Sequence, residues 1–597
     1  MRTLNWKYKI MSKMETYRKK WLIGLSVVIC HLSFSAVFVS CSDWDDHYVA
    51  DTSVLPSQRA TLWENIEGNG NLKQFSDLIR KAGYDSVLNA SQTFTVWAPV
   101  NNSFDYDHLA TLSKSRLQKE FVQNHIARNN YPVSGTVNER VFMLNEKLNL
   151  FSGSSMGGID VDSINLASSN GVIHTLRGKI PFVQNIYESL DTNSTFPIAN
   201  ISRFYHSYDV KKLNENKSVA GPTLNGEITY LDSVFDEHNE LFSRYYAYIN
   251  VEDSNYTMLV PTDDAWDKAK ATVSKYFNYV PSFEFMENTS TTASEKKKVT
   301  VNIADVEYLQ DSIVNLMLTG YLCYNNNLYD NKKLSALKTG ETLQCDSLYG
   351  TTMSKIYTED AARLFENAQR VEMSNGSIWV TDSLRMRTWT AWNPEIILES
   401  EITSMVASTV NMDGSSPEIK SVTPGTQNPD VYGRVSRNMY VEIPPVSAST
   451  NPGVVFYLPN VRSTTYSLYA VVVPANITST NFEVKPNRFT ATIGYVDERG
   501  INEEVKMLNP EDPEKNPPFI NDSSRVDTVY LGDVTFPVAY AGTGSYYPYL
   551  RLNSNVTSRI RAQYDRTLRF DCIILRPKEL VDYLREHPDY KYDNGNY

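Results

Sequence analysis

The chain has 597 residues, long enough for three or four domains that each bury an ordinary hydrophobic core. Its net charge is −12, and it becomes −18 when the first 40 residues, with seven basic and one acidic side chain, are left out. Nucleic acid and anionic lipid headgroups both require a basic surface. We therefore expect no nucleic acid partner and no electrostatic attraction to membranes.

The first 40 residues have the order of a secretory signal. A basic segment at 18–20 precedes an apolar run at 21–38, and a small residue, Ser40, stands directly before Cys41. This order predicts that residues 1–40 are a signal peptide. An uncleaved transmembrane helix is the alternative, since about 18 apolar residues can span a bilayer. Polar residues within the run and the acidic segment after it argue against that alternative.

The segment around Cys41 resembles the processing site of bacterial lipoproteins, and CSDWDDHY resembles the acidic export signal of Bacteroidota lipoproteins. This resemblance implies that Cys41 carries acyl chains such as palmitate and holds the chain on the outer face of the outer membrane. Several acyl chains, at about 0.8 kcal/mol per buried methylene, make a durable anchor. A plainer interpretation of the acidic residues in 41–58 is a solvated spacer.

The next segment begins with an amphipathic pattern. The apolar residues between Leu72 and Ile79 recur at the spacing of one helix face, which predicts a helix. TFTVWAPVNNSF at 93–104 then predicts a strand that ends at Pro99 and a turn into another helix.

Three motifs in this order resemble the fasciclin-like domain. The first is TFTVWAPVNNSF, the second is FVQNHIARNNYPVSG with His125, and the third is NGVIHTLRGKIPF with His174. The resemblance implies a domain of strands and helices over 59–186, and a histidine region that sometimes contributes to partner binding. Both histidines lie in apolar segments, so the residues themselves favour a structural role.

The pattern recurs after a linker around 186–198. SNYTMLVPTDDAWDKA repeats the first motif, a helical stretch follows at 306–324, and SNGSIWVTDSL repeats the Asn-Gly turn and strand. This repeat predicts a second fasciclin-like domain over 198–390. It differs from the first copy in lacking a counterpart of His174 and in carrying a polar insertion at 286–298, which we expect to be a solvated loop.

From about residue 400, short apolar strands alternate with turn-rich stretches, which predicts an all-β sandwich over 400–597. Its last strand, TLRFDCIILRPKE, resembles the closing strand of jelly-roll carbohydrate-binding-like domains. The predicted fold class is α+β, with two tandem fasciclin-like β-sandwich/helix domains followed by a jelly-roll-like sandwich.

The sequence offers no recognisable catalytic, cofactor or metal motif. Six histidines lie beyond residue 58, and none of them stands in an HExxH arrangement. Residues 153–157 match GxSxG, but a strand-like segment follows where the nucleophile elbow requires a helix. Cys323, Cys345 and Cys572 are an odd number, which excludes full disulfide pairing. We expect buried thiols, and a disulfide between Cys323 and Cys345 is the alternative. We therefore predict a protein that is not an enzyme.

One aromatic cluster predicts ligand binding. Tyr546, Tyr547 and Tyr549 lie close to Arg551, and flat rings beside polar groups suit sugar recognition. The alternative is that two of the three rings pack under the sheet.

We therefore predict a surface-exposed outer-membrane lipoprotein with a non-catalytic binding role. By resemblance it would be accessory to SusC/SusD-like uptake of glycan or peptide. The alternative function is adhesion to cells or matrix through the fasciclin-like domains.

Overall fold

The computed structural model describes residues 59–191, 195–224, 227–288, 296–480, 484–544 and 546–592. The chain forms two compact units, Met1–Ile180 and Pro181–Tyr597. The predicted signal peptide at 1–40 and the spacer at 41–58, with Cys41, lie outside the described residues. Among the helices that are described, none has the length and apolarity needed to cross a membrane.

The first unit begins with helices that bury one face each. Its helices are α1 (Leu62–Gly68), α2 (Lys73–Ala82), α3 (Asp85–Leu88), α4 (Tyr106–Thr111) and α5 (Lys114–Leu117), and a π turn (Gln118–Val122) and a 3-10 turn (Gln123–His125) continue α5. A capping box between Thr61 and Glu64 starts α1, because each side chain accepts from the backbone of the other. Gly83, in the left-handed region at φ 76°, ends α2.

A seven-stranded sheet completes this unit, in the order β2-β1-β7-β6-β5-β4-β3. The strands are β1 (Phe94–Pro99), β2 (Ile126–Arg128), β3 (Glu139–Phe142), β4 (Leu148–Phe151), β5 (Ser155–Met156), β6 (Ile159–Ser168) and β7 (Gly171–Leu176). Strands β1 and β7 pair in parallel, with Phe94 opposite Gly171. All six residues of β1 are buried, because helices and neighbouring strands cover both of its faces.

The first half of the second unit combines helices with several small sheets. Its helices are α6 (Ile186–Ser189), α7 (Ala199–His206), α8 (Glu240–Arg244), α9 (Asp263–Val273), α10 (Val306–Thr319), α11 (Thr358–Leu364) and α12 (Thr388–Ala391). Its strands are β8 (Asp209–Leu213), β9 (Val219–Leu224), β10 (Glu227–Asp232), β11 (Phe235–Asn239), β12 (Tyr256–Pro261), β13 (Ser282–Asn288), β14 (Lys296–Asn302), β15 (Cys323–Asn325), β16 (Ser347–Tyr349), β17 (Lys355–Tyr357), β18 (Gln369–Met373) and β19 (Gly376–Thr381). Four of these strands form one sheet in the order β15-β12-β19-β18.

The central strand pair of the first unit recurs here. Strands β12 and β19 pair in parallel, with Tyr256 opposite Gly376, just as Phe94 lies opposite Gly171 in β1 and β7. Each of these glycines follows a buried asparagine. The two Asn-Gly motifs of the sequence therefore occupy the same place in two similar strand pairs.

The C-terminal part of this unit consists of two six-stranded sheets that share one apolar core. Its strands are β20 (Ile396–Glu399), β21 (Val406–Val410), β22 (Glu418–Ser421), β23 (Met439–Ile443), β24 (Gly453–Tyr457), β25 (Thr465–Val472), β26 (Arg488–Val496), β27 (Asn502–Lys506), β28 (Phe519–Ile520), β29 (Asp527–Thr535), β30 (Tyr549–Ser554) and β31 (Leu568–Pro577). One sheet runs β22-β23-β31-β25-β29 with β20 beside β31, and the other runs β21-β24-β30-β26-β27 with β28 beside β26. Buried side chains from both sheets form a single cluster. The predicted α+β class, with β-sandwich content, is confirmed.

Residues 289–295 of the polar insertion lie outside the described residues, so its expected solvation stays a prediction. The strands on either side of it are described. Strands β13 and β14 form a hairpin in which Phe283 is buried within the core of the two sheets. The Glu284 N–H donates to the Gly500 carbonyl at 2.8 Å, and a Cβ at Gly500 would lie 2.1 Å from the Ser282 carbonyl oxygen. Aromatic residues just before the insertion therefore pack the hairpin of β13 and β14 against the C-terminal sheets.

The C-terminal helix α13 (Lys578–Glu586) and the residues after it return to the first half of the unit. Arg387 bonds the carboxylate of Asp360 at 3.1 Å, and Tyr590 donates to the other oxygen of that carboxylate at 2.5 Å. Because Asp360 is 2% exposed, this network joins the two halves in a buried contact. The predicted boundary between 390 and 400 thus lies inside one compact unit.

Candidate functional site

His125 is a structural group of the first unit. It is completely buried, its Nδ1–H donates to the Phe121 carbonyl at 2.7 Å, and the Ile180 N–H donates to its Nε2 at 2.9 Å. Burial is the main cause that lowers the pKa of His125 to about 4, and the nearby Lys179 charge acts in the same direction, while the bond to Phe121 opposes them. The imidazole is therefore neutral at pH 7, and both of its nitrogens form hydrogen bonds with backbone groups.

His174 has a similar environment. Its Nε2–H donates to the Tyr131 carbonyl at 3.0 Å, and its ring stacks on Trp97 with centroids 5.7 Å apart. Burial lowers the pKa of His174, and the bond to Tyr131 opposes this shift only in part. Neither histidine presents a polar group to a ligand.

Two of the predicted sugar-binding residues make contacts between neighbouring strands of one C-terminal sheet. Tyr549 is 3% exposed, its ring packs on Gly494, and its hydroxyl donates to Glu504. Arg551 donates to the same carboxylate at 3.1 Å. Tyr549 therefore has no exposed ring face for a sugar, because its ring lies over Gly494 of the neighbouring strand β26.

The other two predicted residues are half-buried. Tyr546 makes edge contacts with Phe283 and Phe285 of the docked hairpin, at centroid distances of 5.8 and 5.2 Å. Tyr547 lies 5.9 Å from the ring of Tyr457. The four residues are thus close together but contribute mainly to packing, and their role in ligand binding stays a prediction.

A cavity of about 310 Å³ lies beside the first turn of α7 in the second unit. Its walls are mainly apolar, with charged or polar groups at Asp191, Ser202, Arg203 and His206. The remaining lining residues are Phe196, Pro197, Ile198 and Ala199. An apolar concavity with a few polar groups is the usual form of a small-ligand site.

One wall of this cavity is fixed by a hydrogen-bonded network. Asp209 accepts from His206 Nδ1 at 2.9 Å, from Asn239 Nδ2 at 2.8 Å, and from the Tyr187 hydroxyl. Burial alone would raise the pKa of Asp209, but these hydrogen bonds outweigh it and hold the pKa below its usual range. Asp209 is therefore ionised at neutral pH and orients the His206 ring.

This arrangement lacks the contact that nucleophilic catalysis requires. Ser202 and His206 both line the cavity, one helical turn apart on α7, but His206 Nε2 makes no hydrogen bond to any described residue. Ser155 of the GxSxG segment lies between strands β4 and β6 and bonds Ser152 Oγ at 2.9 Å. Neither serine has the partner histidine that would remove its proton.

Sequence reasoning missed this cavity because it treated 186–198 as a linker. The signal for a folded segment was nonetheless present. Asn185 and Glu188 form a capping box, and Ile186 and Leu190 are fully buried. By contrast, the expectation of buried thiols at Cys323, Cys345 and Cys572 is confirmed, since all three are buried and free of disulfides.

Residues 70–178 match the family model described as the Fasciclin domain. A fasciclin domain therefore occupies this part of the chain, as the three motifs at the start of the sequence predicted. Domains of this family are generally associated with adhesion or binding and are not catalytic. No curated protein matches the chain.

Two solved structures are similar at a low level. The FAS1 domain pair of the insect cell adhesion molecule fasciclin I has 12% identity over 54% of this chain and 99% of that chain, with a TM-score of 0.18. Paenibacillus xanthan lyase has 12% identity over 34% of this chain and 16% of that chain, also with a TM-score of 0.18. At such scores neither likeness carries an argument about function.

Proposed function

We propose that this chain is an outer-membrane lipoprotein that is anchored through Cys41, faces outward and binds a ligand without transforming it. Its role is accessory to SusC/SusD-like uptake of peptide or glycan. In this proposal residues 198–390 are a second fasciclin-like domain, and residues 400–597 are a jelly-roll-like sandwich. The order of the N-terminal residues, the fasciclin domain and the repeated Asn-Gly geometry support it.

The cavity beside α7 is the observation that carries the binding role. Its mainly apolar walls suit an aliphatic or aromatic side chain better than a sugar, whose hydroxyls would lose hydrogen bonds with water. Arg203 and Asp191 add one charge of each sign among the lining residues. This combination favours a peptide with an apolar side chain over a glycan.

A bulky residue in the cavity is expected to abolish this binding. Ala199 is exposed and lines the cavity, so Ala199→Phe fills the space without changing the core. We expect retention of peptides from a casein digest by the full-length chain to fall at least about tenfold, which corresponds to about 1.4 kcal/mol. Mass spectrometry of peptides that co-elute with the protein measures the change.

Ser207→Phe is the matched control, because Ser207 is exposed at the end of the same helix and does not line the cavity. This variant should retain casein peptides to the same extent as the wild-type chain. Equal retention by the Ala199→Phe and Ser207→Phe variants would exclude the cavity as the peptide site. Retention of soluble starch instead of peptides would support the glycan alternative.

The proposed anchor has its own test. Cys41→Ala removes the thiol that would carry the lipid, so the variant should leave the membrane fraction and lose incorporation of labelled palmitate. Cys345→Ala changes a buried thiol elsewhere and should behave as the unvaried chain. Protease added to intact cells should degrade the anchored protein, and full resistance to protease would contradict the outward orientation.

A second candidate function is adhesion, and it is favoured by exposed apolar side chains on the short strands β9, β10 and β11. Leu224, Ile228 and Phe235 are 61%, 60% and 50% exposed. Clusters of exposed apolar groups often mark contact surfaces for other proteins. Adhesion predicts that a double variant, Ile228→Ser with Phe235→Ser, weakens attachment of cells to a matrix-coated surface. Uptake predicts unchanged attachment by this variant and loss of peptide retention by Ala199→Phe alone.

A further inference from the structure

A buried group of carboxylates and a thiol lies where strand β20 meets strand β31. Glu399 is the last residue of β20 and lies opposite Cys572 in the antiparallel register, and Asp571 precedes Cys572 on β31. One oxygen of Glu399, one oxygen of Asp571 and the sulfur of Cys572 lie within 4.8 Å of one another. Asp571 and Cys572 are completely buried, and the Glu399 side chain is 10% exposed.

The turn at Ser436 orients both carboxylates. The Ser436 hydroxyl donates to Glu399 Oε1 at 2.7 Å, and the Ser436 N–H donates to Asp571 Oδ2 at 2.9 Å. Ser436 therefore fixes the position of one oxygen of each carboxylate. A ligand atom held in this way keeps its direction, which is what a metal site requires.

The second oxygen of Glu399 is the unexplained atom. Glu399 Oε2 is buried and accepts no hydrogen bond from any described residue. The carboxylate oxygens of Glu401 are also buried and accept none from another described residue. A buried carboxylate oxygen without a partner is costly, so such an oxygen calls for a ligand.

The neighbouring positive charge, Arg437, does not provide Glu399 Oε2 with a hydrogen-bond donor. Arg437 is the cation that contacts Glu399, with Nε 3.5 Å from Oε1, and its side chain is 61% exposed. It therefore reaches the oxygen that Ser436 already bonds and leaves Oε2 without a donor. Arg437 also has φ 49°, in the left-handed region that non-glycine residues rarely adopt.

We propose that Glu399, Asp571 and Cys572 bind a divalent cation of the zinc class. Carboxylate oxygens and a thiolate are ligands that zinc accepts together, at about 2.0–2.2 Å for oxygen and about 2.3 Å for sulfur. A thiolate is a poor ligand for calcium or magnesium, which prefer oxygen. The thiol of Cys572 gives up its proton to solvent when the cation binds, and water completes the tetrahedral coordination.

Zinc content of the full-length chain tests the site. After dialysis against Zn²⁺ alone and then against metal-free buffer, we expect about one zinc per chain by elemental analysis. Glu399→Gln and Cys572→Ala should each weaken zinc binding by at least about tenfold. Cys345→Ala, a buried thiol outside the group, should keep full zinc content. No retained zinc, or equal zinc in the Glu399→Gln variant, would overturn the proposal.

Two further measurements do not depend on these variants folding. Zn²⁺ should raise the melting temperature of the wild-type chain more than Ca²⁺ does, and Co²⁺ in place of zinc should show thiolate-to-metal absorption.

Arg437→Asn removes the competing charge with a residue that tolerates a positive φ, so zinc affinity should rise severalfold. Stabilisation by Ca²⁺ but not Zn²⁺, or by a lower pH without any metal, would instead indicate an oxygen-only site or two carboxyl groups that share a proton, and either result would overturn the zinc assignment.

Discussion

Asn170→Ala is expected to destabilise the pairing of β1 with β7 by about 2–6 kcal/mol, because it leaves two buried backbone groups without a partner and each costs about 1–3 kcal/mol. Asn170 Oδ1 accepts from the Leu62 N–H at 2.7 Å, and its Nδ2 donates to the Leu88 and Ala90 carbonyls at 2.9 and 2.7 Å. One amide thus joins the start of α1 and the end of α3 to the beginning of β7.

The second unit contains a matched variant. Asn375 Oδ1 accepts from the Ile186 N–H at 2.9 Å, and its Nδ2 donates to the Ile249 carbonyl at 2.8 Å. Asn375→Ala should therefore destabilise the pairing of β12 with β19 by a similar amount. Similar losses at the two positions would support a common architecture.

Hydrogen exchange with mass spectrometry measures both effects locally, which is necessary because one melting temperature mixes the transitions of several domains. Peptides that cover 94–99 and 171–176 report on Asn170→Ala, and peptides that cover 256–261 and 376–381 report on Asn375→Ala. Asn71→Ala, at an exposed residue of the first unit, is the control and should leave exchange unchanged. Protection in the Asn170→Ala variant that equals the native level would contradict the role of this amide.

The first unit is expected to lose about 3 kcal/mol of stability between pH 6.5 and pH 4 through His125, since each unit of pKa difference is worth about 1.4 kcal/mol. The folded pKa of His125 is about 4, below the ordinary value of 6.5. Between pH 6.5 and pH 4 the His125 imidazole is therefore protonated in the unfolded chain and neutral in the folded chain. This contribution to stability is complete above pH 6.5, declines as the pH falls, and is lost below the folded pKa.

His125→Gln should flatten this pH dependence and lower stability at pH 7, because glutamine cannot reproduce both bonds of the imidazole. Burial also lowers the pKa of His174, so part of the acid sensitivity should remain. His108→Gln, at an exposed histidine of the same unit, is the control and should keep the full slope. Exchange in β1 as a function of pH measures the effect, and identical slopes for the two variants would show that His125 is protonated in the folded chain.

Much of the fold could be read from local patterns. TFTVWAPVNNSF became β1 and the turn after it, and six apolar segments beyond residue 400 became strands β23, β24, β25, β26, β29 and β31. The C-terminal helix also ends at Glu586, two residues before Pro588, which cannot continue a helix. These elements were predictable because hydrophobic periodicity and Pro, Gly and Asn punctuation act over a few residues.

The sites were less predictable. The tyrosines near Arg551 formed a plausible ligand platform in sequence, but a covering strand and the docked hairpin hold them in packing contacts. The 310 Å³ cavity depends on a segment that looked like a linker. The exposure of a ring depends on which residues from other parts of the chain pack against it, and a local sequence pattern does not contain that information.

The sequence by itself determined the order of the elements, the fasciclin motifs and the repeated Asn-Gly turn, because each depends on residues that are neighbours in the chain. Only the tertiary structure decided the parallel pairing of β1 with β7, the docking of the hairpin of β13 and β14, and the meeting of Glu399 with Asp571 across 172 positions of sequence. Contacts of that kind arise from burial of apolar faces, which depends on surface area and shape and leaves no periodic trace in the chain.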